Sequence, residues 1–337
     1  MKRIAILGGG SWGTALAIVL SRTHKPHEIS LWVRHAALAE SIRRDRENKL
    51  YLPGHKLPET VRVTHDAAAS LENAGMVIGA IPTAHARSVY QRMLPHVVRG
   101  TPIVSATKGL EPASHARMSE VISQVSQTVS PQFPARIAIL SGPSFASEAA
   151  AGQPTAVVIA SSDIPLANEL QEELAAPNFR LYTNGDVLGV ELAGAMKNVI
   201  AIAAGACQGI GLGSNSLAAL ITRGLAEMSR LAVALGARQE TLSGLAGLGD
   251  LVLTCTGSLS RNRYVGIELG KGRSLAEILA GMKMVAEGVG TAGAVLALAR
   301  EACVELPITE QVSAILHEGR SPRDAIRSIM DRPLKRE

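Results

Sequence analysis

Ile4-Ala5-Ile6-Leu7-Gly8-Gly9-Gly10-Ser11-Trp12-Gly13 is the stretch that decides how the first part of this chain folds. The apolar run Arg3–Leu7 is typical of a buried strand, and it ends at glycines spaced G-x-G-x-x-G. A helical pattern, Ser11–Arg22, begins within the same motif. Glycine spacing alone is a weak signal, but a strand before it and a helix after it form the context in which such a turn works. We therefore predict a strand–turn–helix unit of a parallel α/β fold.

Each glycine of this turn has a separate predicted task. Gly8 would allow the tight turn, Gly10 would let a pyrophosphate approach the backbone, and Gly13 would permit close contact between helix and strand. The free N–H groups and the positive end of the helix dipole then favour phosphate binding. We predict a dinucleotide site with contacts from Gly8, Gly10, Ser11, Trp12 and Gly13.

The residue at the end of the second strand bears on the choice between NAD and NADP. NAD-selective sites often have an acid some twenty residues after the glycines, whereas this chain has Arg34 in the run Trp32-Val33-Arg34-His35. A guanidinium can bind a ribose 2′-phosphate through two hydrogen bonds. Arg34 therefore favours NADP; the alternative is a solvated surface arginine.

Strand-like and helical patterns alternate through the first half of the chain, which predicts a doubly wound, mainly parallel sheet. The pattern changes near Asp186, a plausible N-cap, beyond which helical periodicity dominates. We predict a Rossmann-type dinucleotide-binding domain over residues 1–186 and an all-helical substrate and catalytic domain over residues 187–337. Within the latter, Val187–Gln208 is apolar on nearly all sides and is predicted to be a buried central helix. The further strand candidates are Glu28–Val33, Val61–Thr64, Met76–Ile81, Ile103–Thr107, Arg136–Leu140, Ala156–Ala160 and Phe179–Tyr182.

Composition and charge narrow the class of partner. The chain has 337 residues and a net charge of +5, which suits nucleic acid, anionic surfaces or small anions. Its densest basic cluster, Arg43-Arg44-Asp45-Arg46, is interrupted by an acid, and aromatic residues are too scarce for base stacking. We therefore expect no nucleic-acid partner and favour a small phosphorylated molecule.

Cysteine, histidine and apolar patterns point to a cytoplasmic protein without metal. The three cysteines form no C-x-x-C pair and no disulfide framework, as expected in a reducing compartment. None of the nine histidines lies in a zinc-binding pattern. The apolar run after Met1-Lys2-Arg3 stops after four residues, too short for a signal peptide. No uncharged apolar stretch of about eighteen residues occurs, so no membrane insertion is expected.

Several later segments carry polar groups that packing does not explain. Ser105–Leu110 places a lysine and a glycine at a strand end, where open α/β sheets bind ligands. Ser141–Glu148 supplies hydroxyls and amides in a turn. Lys197 and Asn198 interrupt the buried helix, Gly244–Asp250 reads as a glycine-rich turn, and Ser260–Arg263 gathers positive charge.

Taken together, these motifs resemble the bacterial NAD(P)-dependent glycerol-3-phosphate dehydrogenases over essentially the whole chain. Nine segments in this order make the resemblance specific, and no functional position of the pattern is missing. They are GGGSWGTA, YLPG (Tyr51–Gly54), ATKGL, SGPSFASE, ELAGAMKNVIAIAAG, TRGLAEM, GLAGLGDLVLTC, SRNR and AEGVGTA.

The resemblance implies reversible hydride transfer between NAD(P)H and dihydroxyacetone phosphate, giving sn-glycerol 3-phosphate for glycerophospholipid synthesis. Lys197 would be the catalytic proton donor and acceptor, because a lysine inside an apolar helix is costly to bury unless it serves a polar cavity. Asp250 would orient Lys197 or a substrate hydroxyl. The implied substrate contacts are Lys108, Gly142, Ser144, Lys197, Asp250, Ser260, Arg261 and Asn262; the further cofactor contacts are Arg34, His35, Lys108, Ala146, Arg261, Val285 and Glu287.

Each role has a plainer alternative. Lys197 could extend to solvent from a helix end, Asp250 could cap the next helix, Arg261 could lie in an exposed turn, and Glu287 could be a surface residue favoured by a helix dipole. For the whole chain, the alternatives are another two-domain dehydrogenase, for 3-hydroxyacids or 6-phosphogluconate, and a non-catalytic NAD(P)-sensing regulator. The oligomeric state is not fixed by the sequence; a homodimer is the commonest outcome for soluble oligomers.

Overall fold

The computed structural model describes residues 1–129, 131 and 135–334; residues 335–337, at the end of the predicted second domain, lie outside the described part. The chain forms two compact units. The first comprises Met1–Glu111 and Ala116–Glu191, and the second comprises Pro112–His115 and Leu192–Glu337. The predicted fold class, a Rossmann-type sheet followed by a helical region, is confirmed. The assignment of cofactor binding to residues 1–186, and of substrate binding and catalysis to residues 187–337, stays a prediction.

The first unit is built on an eight-stranded sheet with the order β3-β2-β1-β4-β5-β6-β7-β8. All neighbouring strands run parallel except β6 and β7, which are antiparallel. Every predicted strand is present, and no strand end differs from its predicted position by more than two residues. The strands are β1 (Lys2–Leu7), β2 (His27–Trp32), β3 (Val61–Thr64), β4 (Met76–Gly79), β5 (Ile103–Ser105), β6 (Ile137–Ser141), β7 (Thr155–Ala160) and β8 (Phe179–Asn184).

Helices cover both faces of this sheet because successive residues of its inner strands point to opposite sides. Ile4 and Ile6 of β1 belong to one apolar cluster, and Ala5 and Leu7 belong to another. The helices of this unit are α1 (Ser11–Leu20), α2 (Ala36–Asp45), α3 (Ala67–Leu71), α4 (Thr83–Met93), α5 (Met118–Val129), α6 (Ala146–Ala150) and α7 (Ile164–Leu174).

The second unit is helical, as predicted. The chain enters it within α8 (Val187–Gly209), whose first turn is capped by Asp186: the Asp186 Oδ1 accepts the Gly189 N–H at 2.8 Å. The remaining helices are α9 (Ser214–Ala234), α10 (Gln239–Ser243), α11 (Asp250–Thr256), α12 (Arg261–Gly270), α13 (Leu275–Ala280), α14 (Glu287–Glu301), α15 (Pro307–His317) and α16 (Pro322–Met330).

Two details of this unit differ from the sequence analysis. Gly244–Asp250 is not a turn: Leu245–Gly249 winds as a π-helix that continues into α11. The wide winding requires a glycine at Gly247, since a Cβ there would lie 2.0 Å from the Leu242 carbonyl oxygen. Helix α12 begins at Arg261, the residue for which an exposed turn was the plainer alternative.

Helices α8 and α12 touch backbone to backbone through glycines four residues apart on each helix. A Cβ on Gly205 would lie 2.0 Å from the Arg263 carbonyl oxygen, and one on Gly266 would lie 2.0 Å from the Ile202 carbonyl oxygen. The pair Gly209 and Gly270 is similarly close. Side chains at these positions would force the two helices apart, so glycine sets their separation.

Helix α8 is the one described helix long and apolar enough to cross a membrane, with a mean hydropathy of 1.6, and 83% of its apolar window is buried within the protein. Such burial is typical of a core helix. Its charged residues are Glu191 and Lys197.

Helix α15 is capped from another helix. Its N-terminus has no capping side chain of its own, and the buried carboxylate of Glu227, on α9, accepts the N–H groups of Ile308 at 2.6 Å and Thr309 at 3.2 Å. Burial raises the pKa of Glu227 to about 7, against the opposing effect of these hydrogen bonds. The helix terminus therefore depends on a carboxyl group that titrates near neutral pH.

The raised pKa predicts a pH-dependent stability. Between pH 4.5, the ordinary pKa, and about 7, the folded chain keeps this proton and the unfolded chain releases it, so the free energy of unfolding falls as pH rises. The total effect is on the order of 3 kcal/mol. Urea unfolding from pH 5 to pH 8 should show a shallower fall in Glu227→Gln than in the native chain. The exposed control Glu310→Gln should show the same fall in the free energy of unfolding as the native chain. If the fall in Glu227→Gln is as steep as in this control, the assignment is wrong.

Candidate active site

The glycine turn between β1 and α1 has the geometry that a phosphate site needs. Gly8 has a φ of +123°, and a Cβ there would lie 2.4 Å from the Ala80 carbonyl oxygen. A Cβ on Gly13 would lie 1.9 Å from the Gly8 carbonyl oxygen, whereas a Cβ on Gly10 would meet no atom within 4 Å. Close packing therefore explains why residues 8 and 13 are glycines, but it does not explain the glycine at residue 10. The open space beside Gly10, at the N-terminus of a helix with no acid in its first turn, fits the approach of a pyrophosphate.

A buried asparagine holds this turn in place. Asn48, which is fully buried, donates to the Gly9 carbonyl oxygen at 2.9 Å and to the Thr14 Oγ1 at 2.8 Å. Its own Oδ1 accepts the Tyr51 N–H at 3.2 Å. Sequence analysis missed Asn48, because an isolated asparagine between motifs carries no periodic signal.

Arg34 and His35 lie where the cofactor-selecting residues were predicted, directly after β2. Both are exposed, and His35 precedes the first turn of α2. No ion pair engages Arg34 among the residues that the structure describes. Its guanidinium is thus available to an anion, and its exposure is equally compatible with a solvated surface arginine.

Three predicted residues meet at the carboxyl ends of β5 and β6. The Lys108 Nζ donates to the Gly142 carbonyl oxygen at 2.7 Å and to the Ser144 Oγ at 3.3 Å. The Ser144 Oγ in turn donates to the Gly142 carbonyl oxygen at 2.9 Å. Gly142 has a φ of +121°, a conformation that favours glycine. A cation, a hydroxyl and a sharply turned backbone are therefore gathered at the sheet edge where such folds bind ligands.

Ala146 and Trp12 frame the same edge from neighbouring helices. Ala146 is the first residue of α6, and both side chains pack against the apolar cluster beneath α1. The Trp12 indole Nε1 is buried, and no acceptor for it occurs within the described residues. A buried indole N–H usually has an acceptor, so this group suits a polar ligand atom.

In the helical unit, Lys197 and Asp250 form a buried ion pair. The Lys197 Nζ lies 2.8 Å from the Asp250 Oδ1 and donates to the Thr254 Oγ1 at 2.7 Å. Lys197 and Asp250 are 6% and 1% exposed, so the lysine does not extend to solvent. Asp250 pairs with the lysine, and the residue at the N-cap of α11 is Gly249. The contact of Asp250 with Lys197 is thus present in the structure, and its contact with a substrate hydroxyl stays a prediction.

Thr254 completes this cluster and was not predicted. It lies one helical turn after Asp250, and its hydroxyl, which receives the lysine hydrogen bond, donates to the Asp250 carbonyl oxygen at 2.6 Å. The spacing of four residues on one helix face was the available signal. Beside the cluster, burial raises the pKa of the Cys255 thiol to about 12, although Lys197 acts in the opposite direction.

The predicted phosphate-binding residues open helix α12. The Ser260 Oγ accepts the Arg263 N–H at 3.2 Å and caps the helix. Arg261 is exposed and lines a pocket of about 260 Å³ together with Ser260, Tyr264 and Lys283. Asn262 is buried and contacts both α8 and α14. Its Nδ2 donates to the Asn198 Oδ1, and its Oδ1 accepts the Gly288 N–H, each at 2.9 Å.

Val285 and Glu287 lie just before and at the start of α14. Val285 is half exposed, and Glu287 occupies the first turn, where a carboxylate complements the helix dipole. Although Arg261 as a whole residue is exposed, neighbouring groups desolvate its guanidinium and lower its pKa, and the Glu287 carboxylate acts in the opposite direction. The structure thus brings Glu287 and Arg261 near each other, while their contact with a cofactor stays a prediction.

Comparison with known proteins decides the family. A family model described as the N-terminus of NAD-dependent glycerol-3-phosphate dehydrogenase matches residues 3–167, and one for its C-terminus matches residues 186–327. A relative from Koribacter versatilis, named glycerol-3-phosphate dehydrogenase (NAD(P)+), is 55% identical over 99% of this chain and 98% of its own. The chain belongs to the glycerol-3-phosphate dehydrogenase family. The family identification made from the sequence is confirmed.

Other members of the glycerol-3-phosphate dehydrogenase family are similar to this chain in sequence and in structure. A relative of the same name from Acidobacterium capsulatum is 54% identical over 99% of both chains. The crystal structure of glycerol-3-phosphate dehydrogenase from Coxiella burnetii superposes with a TM-score of 0.91 at 43% identity, covering 98% of this chain and 99% of that chain.

The glycine turn yields a paired prediction. Gly10 has a φ of −80° and open space around it, so Gly10→Ala should change the free energy of unfolding by less than about 0.5 kcal/mol. An added methyl group in the path of a pyrophosphate should weaken NADPH binding about tenfold or more. Gly13→Ala should instead destabilise the fold, by roughly 1–3 kcal/mol. Thermal melting and NADPH fluorescence titration measure both effects. Native NADPH affinity in Gly10→Ala would place the pyrophosphate elsewhere.

Proposed function

We propose that this chain catalyses reversible hydride transfer between NAD(P)H and dihydroxyacetone phosphate, with sn-glycerol 3-phosphate as the reduced product. The observation that carries the proposal is the buried Lys197–Asp250 pair, in a chain whose two halves match the two halves of one dehydrogenase family. A supply of glycerol 3-phosphate to glycerophospholipid synthesis, in the cytoplasm, is the role we assign to the product.

Lys197 is the proposed proton donor in the reductive direction. Its ammonium, held by Asp250 and Thr254, would polarise the carbonyl oxygen of the substrate and pass it a proton, and it would accept that proton from the hydroxyl in the oxidative direction. Asp250 stabilises the charged form of Lys197 in a buried setting where an unpaired ammonium would be costly. Thr254 fixes the direction of the Nζ hydrogens.

Arg261, Asn262 and Ser260 are the proposed phosphate-binding group. They occupy the first turn of α12, where the helix dipole adds to the charge of Arg261. Arginine suits a phosphate because its planar fork forms two parallel hydrogen bonds. Lys108, Gly142 and Ser144 are proposed as further substrate contacts from the first unit.

The first unit is proposed to hold the cofactor, which would supply the hydride when bound. Gly8, Gly10, Ser11, Trp12 and Gly13 would take the pyrophosphate. The further proposed contacts are Arg34, His35, Lys108 and Ala146 in this unit, and Arg261, Val285 and Glu287 in the helical unit.

A direct assay tests the proposed function. Oxidation of NADPH or NADH is followed by absorbance after addition of dihydroxyacetone phosphate, unphosphorylated dihydroxyacetone or a 3-oxoacid. For 6-phosphogluconate, the reaction starts from the oxidised cofactor and its reduction is followed. We expect fast turnover with dihydroxyacetone phosphate alone. Preference for the acid substrates would support another two-domain dehydrogenase, and absence of turnover with every phosphorylated ketone would support the NAD(P)-sensing alternative.

Replacement of the proposed proton donor should abolish turnover. Lys197→Met removes the proton and the charge while keeping the apolar stem, so kcat should fall at least about a thousandfold, with NADPH affinity changed only a few-fold. Because the substitution leaves Asp250 buried without its partner, the double variant Lys197→Met, Asp250→Asn should be made in parallel to retain the fold. The exposed Lys271→Met is the control. A folded variant with more than about a tenth of the native kcat would remove Lys197 from the mechanism.

Charge reversal at Arg34 tests the cofactor preference. Arg34→Asp should weaken NADPH binding by ~2–3 kcal/mol, about a hundredfold, because a charge-assisted pair with the 2′-phosphate is lost. NADH binding should change little. Arg62→Asp makes the same charge change at another exposed position. It controls for the effect of the changed net charge on cofactor binding. Equal losses for NADPH and NADH would remove Arg34 from the 2′-phosphate site.

A further inference from the structure

A chain of side-chain amides connects α8, α12 and α14 in the helical unit. The Asn198 Nδ2 donates to the Gly194 carbonyl oxygen at 3.3 Å, and the Asn198 Oδ1 accepts from the Asn262 Nδ2 at 2.9 Å. The Asn262 Oδ1 then accepts the Gly288 N–H at 2.9 Å. Both asparagines are buried, at 5% and 8% exposure.

The two ends of this chain fix the orientation of both amides. A backbone carbonyl can only accept and a backbone N–H can only donate, so the Asn198 Nδ2 faces Gly194 and the Asn262 Oδ1 faces Gly288. Rotating the Asn262 amide by half a turn would place its NH2 against the Gly288 N–H and its oxygen against the Asn198 oxygen. One orientation of Asn262 is therefore strongly favoured.

In this orientation Asn262 keeps one N–H for another partner. Its NH2 group has two hydrogens; Asn198 takes one, and no hydrogen bond from the other is found within the described residues. A buried donor without an acceptor is costly. Asn262 lies in the first turn of α12 next to Arg261, where the guanidinium and the positive end of the helix dipole both favour an anion.

We propose that Asn198 and Gly288 are positioning residues, which hold the Asn262 amide so that this N–H points at the substrate phosphate. The inference rests on the proposed function, in which Asn262 binds that phosphate. Neither positioning residue need touch the substrate. The opposite amide orientation would turn a carbonyl oxygen toward the phosphate and repel it.

Gly288 is also restricted sterically. A Cβ at this position would lie 2.6 Å from the Asn198 carbonyl oxygen and 2.9 Å from the Asn262 Oδ1. An alanine would therefore push against both the α8 backbone at Asn198 and the amide that the Gly288 N–H holds. Gly293, on the same helix, is exposed, and a Cβ there would meet no atom within 4 Å, which makes it a matched control.

The experiment compares Asn198→Ala and Gly288→Ala with the controls Val199→Ala and Gly293→Ala. Val199 is the next buried residue of α8, so its truncation reports loss of packing alone. For each variant we measure kcat/KM with dihydroxyacetone phosphate and with dihydroxyacetone, and the inhibition constant of inorganic phosphate. Thermal melting establishes that each variant is folded.

We expect the advantage of the phosphorylated ketone to fall about tenfold in Asn198→Ala and Gly288→Ala, with a matching rise in the inhibition constant of phosphate. Turnover of dihydroxyacetone should change much less, and both controls should keep the native ratio. An unchanged ratio in the two folded test variants, or an equal fall in the controls, would overturn the positioning role. Failure of the proposed function would show differently, as a native enzyme with no preference for the phosphorylated ketone.

If Gly288→Ala does not fold, Asn198→Ser provides the second variant. A serine hydroxyl can accept a hydrogen bond, but the serine side chain is too short to reach Asn262. Asn198→Ser should therefore lose the preference for the phosphorylated ketone to the same extent as Asn198→Ala. Retention of the native ratio by both Asn198 variants would overturn the proposal.

Discussion

The close approach of α8 and α12 is the constraint on which the helical unit depends. Gly205 and Gly209 on one helix face Gly266 and Gly270 on the other, at distances that exclude any Cβ. Helices in proteins usually lie 8–10 Å apart because side chains separate them; here backbone lies against backbone. The amide of Asn198 reaches that of Asn262 only because these helices are so near, and the first turn of α12 is thereby fixed relative to Lys197.

Three buried charged residues, Lys197, Glu227 and Glu191, are each compensated by nearby partners. Lys197 has Asp250 and Thr254, and Glu227 has the N-terminus of α15. Glu191 receives the Ser119 N–H and hydroxyl and the Arg117 guanidinium, while burial raises its pKa. Such groups stabilise a fold only while their partners stay in place, so they make the local geometry specific.

Much of the fold was predictable because its signals are local. The strand–turn–helix of the glycine motif, the alternation of strands and helices, and the apolar α8 are all periodic patterns over short stretches. Helix α12 was missed for the opposite reason. Gly266 and Gly270 disfavour a helix locally, yet they are required by contact with α8, which lies far away in the sequence.

The candidate site was predictable in its residue types but only partly in its contacts. Lys197 stood out because a charge inside an apolar run is unusual, and the family resemblance pointed to Asp250. The pattern could not choose between the partners of Asp250, because nothing local to residue 250 reports on residue 197. Thr254 and Asn48 were missed because threonine and asparagine are common at the surface, and only the tertiary structure shows that they are buried.

The apolar character of α8 matters also while the chain is being made. This helix leaves the ribosome before α12 has been synthesised, so for a time its glycine face lacks the partner that will cover it. By length and hydropathy alone, this segment of 23 residues would qualify as a bilayer-spanning helix. A lysine near the centre of such a segment opposes insertion by about 2.5–3.5 kcal/mol. The charge of Lys197 thus makes α8 a poorer candidate for membrane insertion than its length and hydropathy alone suggest.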